Sequence, residues 1–131
     1  MAENLSIESL SISIDKKKQL TIFQGDVVAI DERKNEFKTK YAKYQKELNL
    51  LESTGETTIT TSEGFFLSGE DIIFDNKNFI IKSNKSAKIQ DLANNIIYLE
   101  SFEYSTKNNF FKSSGKVKLI DSMNNSYNFS Q

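Results

Sequence analysis

Apolar and polar positions along the chain recur every 30 residues. Residues 20–31, 50–61, 80–91 and 110–121 align without a gap. In each, an alternation of inward apolar and outward polar positions stands out. Val27/Ala29, Thr57/Ile59, Ala87/Ile89 and Val117/Leu119 are separated by mostly polar neighbours such as Asp26, Glu56, Ser86 and Lys116. Period-2 alternation predicts a strand with one buried face. In the last copy Lys112, Lys116 and Lys118 fall on the outer face, and Phe111, Val117 and Leu119 on the inner one. A second set keeps the same period: Ile7/Ser9/Ile12/Ile14, Phe37/Thr39/Ala42/Tyr44, Leu67/Gly69/Ile72/Phe74, Ile97/Leu99/Phe102/Tyr104 and finally Tyr127/Phe129. Registers that agree without an insertion predict a repeat architecture of two strands per repeat.

The two strands differ. In the second, the step of three from Thr39 to Ala42 breaks the alternation, which predicts a β-bulge there and at its equivalents. The first is long, about 36 Å for eleven extended residues at ~3.3 Å each. It carries a central glycine three times, at Gly25, Gly55 and Gly115, and these are read as bend points. Lys85 stands at the fourth position and predicts a weaker bend there. Polar turns separate the strands at 31–35, 75–78 and 105–109. The stretch 38–51 has a composition that a helix accepts, but the register assigns it to strands. The expectation is an all-β, antiparallel, repeat-built single domain over residues 1–131, with about nine strands and half a repeat at each end.

Composition narrows the chemistry. The 131 residues carry 17 basic and 18 acidic side chains, so nothing points to nucleic acid or an anionic surface. There is no Cys and no His, hence no thiol nucleophile, no thiolate metal site and no imidazole base. No apolar run approaches the ~18 residues of a membrane span. Met1-Ala2-Glu3 does not open a signal peptide, so either the chain is cytoplasmic or a leader has been trimmed. The carboxylates Glu70, Asp71, Asp75 and Glu100 fall at turns and outer faces, which argues against catalysis. Asp31, Asp91 and Asp121 recur once per repeat. A calcium site there is one reading, and turn capping is the one that a single carboxylate per repeat favours.

Phe23-x-Gly25-x-Val27, Phe37-x-Thr39-x-x-Ala42-x-Tyr44 and Ser53-x-Gly55-x-Thr57-x-Ile59 together resemble the OstA-like repeat of lipopolysaccharide-transport proteins. That family includes LptA, LptC and the N-terminal periplasmic domain of LptD. The resemblance covers residues 5–131. Its later part, around Gly69–Asp75, Tyr98–Tyr104 and Gly115–Leu119, is more similar to the LptD domain than to LptA. The resemblance implies a twisted β-jellyroll, or β-taco, open along one edge, in the periplasm of a Gram-negative bacterium. It also implies lipopolysaccharide as ligand, with lipid A acyl chains in the apolar interior. Related domains would pair end to end through edge strands, and no cofactor, metal or catalytic residue is implied. The candidate groove residues are then Phe23, Val27, Phe37, Thr39, Ala42, Tyr44, Thr57, Ile59, Leu67, Gly69, Ile72 and Phe74. Ile81, Ile89, Ile97, Leu99, Phe102, Tyr104, Phe111, Val117 and Leu119 are further inward positions. Inward side chains grow bulkier along the chain, so the interior is expected to be roomier near Thr39, Ala42, Thr57 and Gly69 than near Leu99, Phe102 and Phe129. The competing reading is a self-associating β-solenoid with a filled core and no lipid.

Overall fold

The computed structural model describes residues 5–129. In chain order the strands are β1 (Ser6–Glu8), β2 (Ser11–Asp15), β3 (Leu20–Ile30), β4 (Glu36–Gln45), β5 (Leu50–Ser53), β6 (Glu56–Thr60) and β7 (Phe66–Glu70). There follow β8 (Ile73–Asp75), β9 (Ile80–Ser83), β10 (Ala87–Gln90), β11 (Ile96–Ser105), β12 (Phe110–Ile120) and β13 (Ser126–Phe129). Every pairing among them is antiparallel. No described residue is helical, and the 38–51 stretch forms strands and a turn. The thirteen segments amount to nine passes of the chain. β1/β2, β5/β6, β7/β8 and β9/β10 are each one pass interrupted in the middle.

The nine passes stack into a folded sheet with two walls. One wall runs β2-β3-β4-β5-β8-β9-β11-β12, and the other runs β1-β3-β4-β6-β7-β10-β11-β12-β13. Four long strands cross the fold line and belong to both. The repeat register lays equivalent side chains side by side down the stack. In the second wall Ala29, Phe37, Ile59, Leu67, Ile89 and Ile97 are successive Cα partners, and Ile7 and Leu119 extend the row at either end. In the first wall Tyr44, Leu51, Phe74, Ile81, Tyr104 and Phe111 form the matching row. Both rows face the space between the walls and make the hydrophobic core. Cross-strand neighbours of this kind are what stabilise a sheet.

One expectation needs correction. The extra residue of the bulge lies in the long strand, not between Thr39 and Ala42. Gln24 faces Tyr41 and Val27 faces Thr39, so three steps on β3 oppose two on β4. The same slip puts three steps of β12 (Ser114 to Val117) against two of β11. Gly25 and Gly115 have φ of +79° and +89°, and Asp26 follows Gly25 at +45°. A residue in the left-handed region is how a bulge of this type is made, and glycine takes it at no steric cost. At Lys85 the strand itself breaks. The third copy of the long strand is interrupted from Asn84 to Ser86, a wider break than the Thr54–Gly55 gap of the second copy. At Gly25 and Gly115 the strand kinks and continues; at Gly55 and at Lys85 the ladder stops and restarts, with the wider gap at Lys85.

The recurring aspartates close the second-wall turns. Asp31 Oδ1 accepts the amides of Arg33 and Asn35, at 3.0 and 2.8 Å, and Oδ2 accepts Asn35 Nδ2 at 2.8 Å. Asp91 holds Ala93 and Asn95 in the same way, and Asp121 holds Met123 and Asn125. Asn35 Oδ1 then accepts the amide of Ser62, and Asn95 Oδ1 that of Ser122, 27 residues on in each case. The 31–35 turn thereby anchors the next repeat's turn at Ser62, and the 91–95 turn the one at Ser122.

Candidate functional site: the interior and the ends of the roll

The structure brings all twelve candidate groove residues to the inner face. Phe23, Val27, Phe37, Ala42, Ile59, Leu67, Ile72 and Phe74 are buried hydrophobic core; Thr39 and Thr57 are buried too, and Tyr44 and Gly69 are half-buried. Facing walls fill the space between them. Phe37 meets Phe74 edge-on, with centroids 5.9 Å apart. The small polar positions are tied off by hydrogen bonds rather than left open. The Thr57 hydroxyl lies 3.1 Å from Thr39 Oγ1 and 2.6 Å from Ser53 Oγ, and Ser53 Oγ accepts the Ile72 amide. Buried hydroxyls are normally satisfied in this way.

Free volume lies in both halves: a cleft of about 420 Å³ touches Thr57 and Gly69, with Glu56, Thr58, Ser68, Glu70 and Ser86 around it. A cavity of about 210 Å³ is walled by Phe65, Ile89, Ile97, Leu99, Phe111 and Val117, with Lys112 and Ser113 also on its lining. A larger cleft of about 600 Å³ touches Leu99 and Val117 but is lined mostly by exposed, outward residues, Tyr98, Glu100, Lys116, Lys118 and Asn128, with Ser86 and Phe129. The inward columns do become bulkier toward the C-terminal end. The packing nonetheless loosens there, because β13 covers only the second wall and only Val117–Ile120 of β12. Phe111, Val117 and Leu119 are accordingly half-buried, whereas their equivalents Leu51, Thr57 and Ile59 are fully buried.

The long mouth of the roll is bridged. The Arg33 guanidinium, on a second-wall turn, sits 4.5 Å above the Phe79 ring of a first-wall turn, and Lys107 Nζ is 5.7 Å from the same ring. Asn109 Nδ2 donates to Glu63 Oε1 at 3.1 Å, again from one edge to the other. Sequence reasoning missed these contacts. The signal was present at Phe79, which replaces the Asn that the repeat places at 49 and 109. Those two asparagines accept the hydroxyls of Tyr44 and Tyr104, each at 2.7 Å. Where the repeat has Phe74 in place of the tyrosine, no hydroxyl needs an acceptor. Burial pushes both tyrosine hydroxyls above their ordinary pKa.

Asp71 and the recurrent aspartates have structural partners. Asp71 accepts the Gly55 amide and Lys85 Nζ, which lowers its pKa below the ordinary carboxylate value and raises that of Lys85. It thus ties together the breaks in the second and third long strands. Hydrogen bonds from Asn95 and Asn125 lower Asp91 and Asp121 in the same sense. Among the described residues no three His, Cys, Asp or Glu side chains gather around a point where a metal ion would sit, and the recurrent aspartates spend their oxygens on turn amides. No helix of the described residues is long and apolar enough to cross a membrane.

Both ends of the roll carry exposed apolar side chains. Leu10, Ile12 and Ile14 are 77, 58 and 66% exposed at the β1/β2 end, and Tyr127 and Phe129 are 44 and 56% exposed at the β13 end. Among the described strands, β1, β2 and β13 each have a partner on one side only. The chain superimposes on the crystal structure of LptH with a TM-score of 0.74, over 98% of this chain and 96% of that one, at 13% identity. LptH is the LptA-homologous periplasmic component of the conserved lipopolysaccharide transport device of Pseudomonas aeruginosa. The chain has the LptH fold. No protein-family model matches the sequence, and no curated protein does. The β-jellyroll implied by the OstA-like resemblance is therefore the architecture observed.

Proposed function

We propose that this chain is a lipopolysaccharide-transport module of the periplasm, a non-enzymatic β-bridge domain. Lipid A acyl chains pass through its interior, and related LptA-, LptC- or LptD-type domains pair with its ends. The observation that carries this reading is the combination, on an LptH fold, of an apolar interior with unpaired strand edges and exposed apolar residues at both ends. Unpaired edges are a liability unless a partner strand covers them. Burying methylenes supplies the affinity at about 0.8 kcal/mol each, so a single acyl chain suffices without special chemistry. On this reading the twelve inward residues from Phe23 to Phe74 line the lipid path once the mouth contacts between Arg33 and Phe79 part.

The filled core between Phe23 and Ile81 favours a second reading, a self-associating β-solenoid that holds no lipid. Titration separates the two. Lipopolysaccharide should raise the melting temperature and change the fluorescence of the five tyrosines, whereas the deacylated polysaccharide should do neither. Identical responses to both, or none to either, favour the solenoid.

A further inference from the structure

The contacts across the mouth follow the repeat. Glu63 and Asn109 are 46 residues apart, and Arg33 and Phe79 have the same separation. One pair is the other carried on by a 30-residue period, so each is a rung between equivalent turns. The Phe65–Phe111 ring contact keeps the separation too and borders the interior cavity. The rungs differ in build. In the first, Arg33 and Phe79 are half-buried, and Lys107 approaches the same ring from the neighbouring turn. A cation over a ring is held more strongly as water is removed. In the second, Glu63 and Asn109 are both exposed, and their single hydrogen bond competes with water. Behind the first rung lies the filled core of Phe37 and Phe74; behind the second lie a half-buried Phe111 and a cavity of about 210 Å³. Phe79 is also placed against backbone preference. Its φ is +59°, in the left-handed region, where a bulky residue is an outlier. The equivalent positions 49 and 109 hold Asn, which tolerates that conformation. Strain of this kind collects at clamps and switches.

We infer that the mouth is a graded latch with one rung per repeat, which parts at Glu63–Asn109 while the Arg33–Phe79–Lys107 rung stays shut. Local opening begins where buried contacts are fewest, and that is beneath the second rung. Phe79 holds the first rung, because its ring takes a cation from each lip, Arg33 from the opposite one and Lys107 from its own. The inference goes beyond the transport reading and does not depend on it, since it concerns the ligand-free roll. It sets the order in which the interior becomes reachable from the side: Phe65 and Phe111 before Phe37 and Phe74.

The chain has no cysteine, so introduced thiols alone take a spin label. Glu32→Cys with Lys77→Cys spans the first rung, and Ser62→Cys with Asn108→Cys spans the second; no rung residue is altered. Double electron–electron resonance on the full, ligand-free chain should give one narrow distance at the first pair. At the second it should give a narrow distance and a longer, minor population. Glu63→Ala should raise that longer population severalfold and leave the first pair unchanged. Glu63→Gln, which keeps an acceptor oxygen, should restore the original distribution. Phe79→Asn should give the first pair a long distance of its own without lowering the melting temperature, because Asn relieves the backbone while removing the ring. A ring that only packs would do the reverse, lowering the melting temperature with both distances unmoved. That result, a first pair that lengthens without the second, or distances that neither Glu63→Ala nor Phe79→Asn changes, would overturn the inference.

Discussion

Gly55 sits at φ +83°, and a Cβ built on it would meet nothing within 4 Å. Any cost of a side chain there is therefore conformational rather than steric. An L residue in the left-handed region is disfavoured by roughly 1–2 kcal/mol, and a β-branched one by more. Gly55→Val should lower the melting temperature clearly, while Thr58→Val, on the outward face of β6, should barely move it. Equal melting temperatures would mean that Gly55 is not needed as a bend. At Gly25, by contrast, the new Cβ would come within 2.9 Å of Leu10 Cδ1, so strain and overlap would add. The recurrence of glycine every 30 residues made the bend legible in the sequence. What the third copy would do without it was not legible, because Lys85 reads as a missing kink. In the fold the chain leaves the ladder there, and Ser83 Oγ and Asp71 take up the Lys85 amide and ammonium.

At the scale of elements, the turns and the bulged strands set the register. Asp91 and Asp121 are held below the ordinary carboxylate pKa by hydrogen bonds from Asn95 and Asn125, and Asp71 by those from Lys85 and Gly55. A carboxyl with a depressed folded pKa binds protons more readily when unfolded. Its contribution is present above about pH 4, the unfolded value, and is lost as pH falls through the folded value. The melting temperature should therefore be level from neutral pH to about pH 5 and fall below about pH 4. The double variant Asp91→Asn/Asp121→Asn should lose less on acidification than the unmodified chain, even though it starts less stable. An identical acid-induced drop in both would show that these turns do not carry the effect. The turn role of the aspartates could be read from one carboxylate per repeat. The side of the bulge could not: a step of three in the inward pattern of β4 shows that two neighbouring strands slip, not which one holds the extra residue. The strand register decides that, and the positive φ of Gly25 and Gly115 agrees with it.

Across the whole molecule, a strict period turns into a stack because each pass lays its inward residues beside those of the pass before. That is why the all-β fold and its nine passes were readable from spacing, while the jellyroll came only with the resemblance to the OstA-like repeat. The distribution of free volume was not. Side-chain size along one column says nothing about what the opposite wall sends across. Phe74 reaches Phe37 from across the roll, and the Thr39–Thr57–Ser53 hydroxyls close the space that small residues seemed to leave. At the other end, a four-residue β13 leaves Phe111 and Val117 half-covered despite their size. The cross-mouth contacts of Arg33 with Phe79 and of Asn109 with Glu63 are equally invisible to a repeat, since they join turns of different kinds.

The central claim is that acyl chains travel inside the roll and not along its outside. Strand alternation supplies adjacent positions that differ in nothing but the face they occupy. A photo-crosslinking amino acid at Thr39 or Thr57 points between the walls, and one at Lys38 or Thr58 points to the outer face. With lipopolysaccharide present and the domain shown to be folded, the inward pair should capture the lipid and the outward pair should not. Equal capture at both faces, or none at either inward position, would contradict the account.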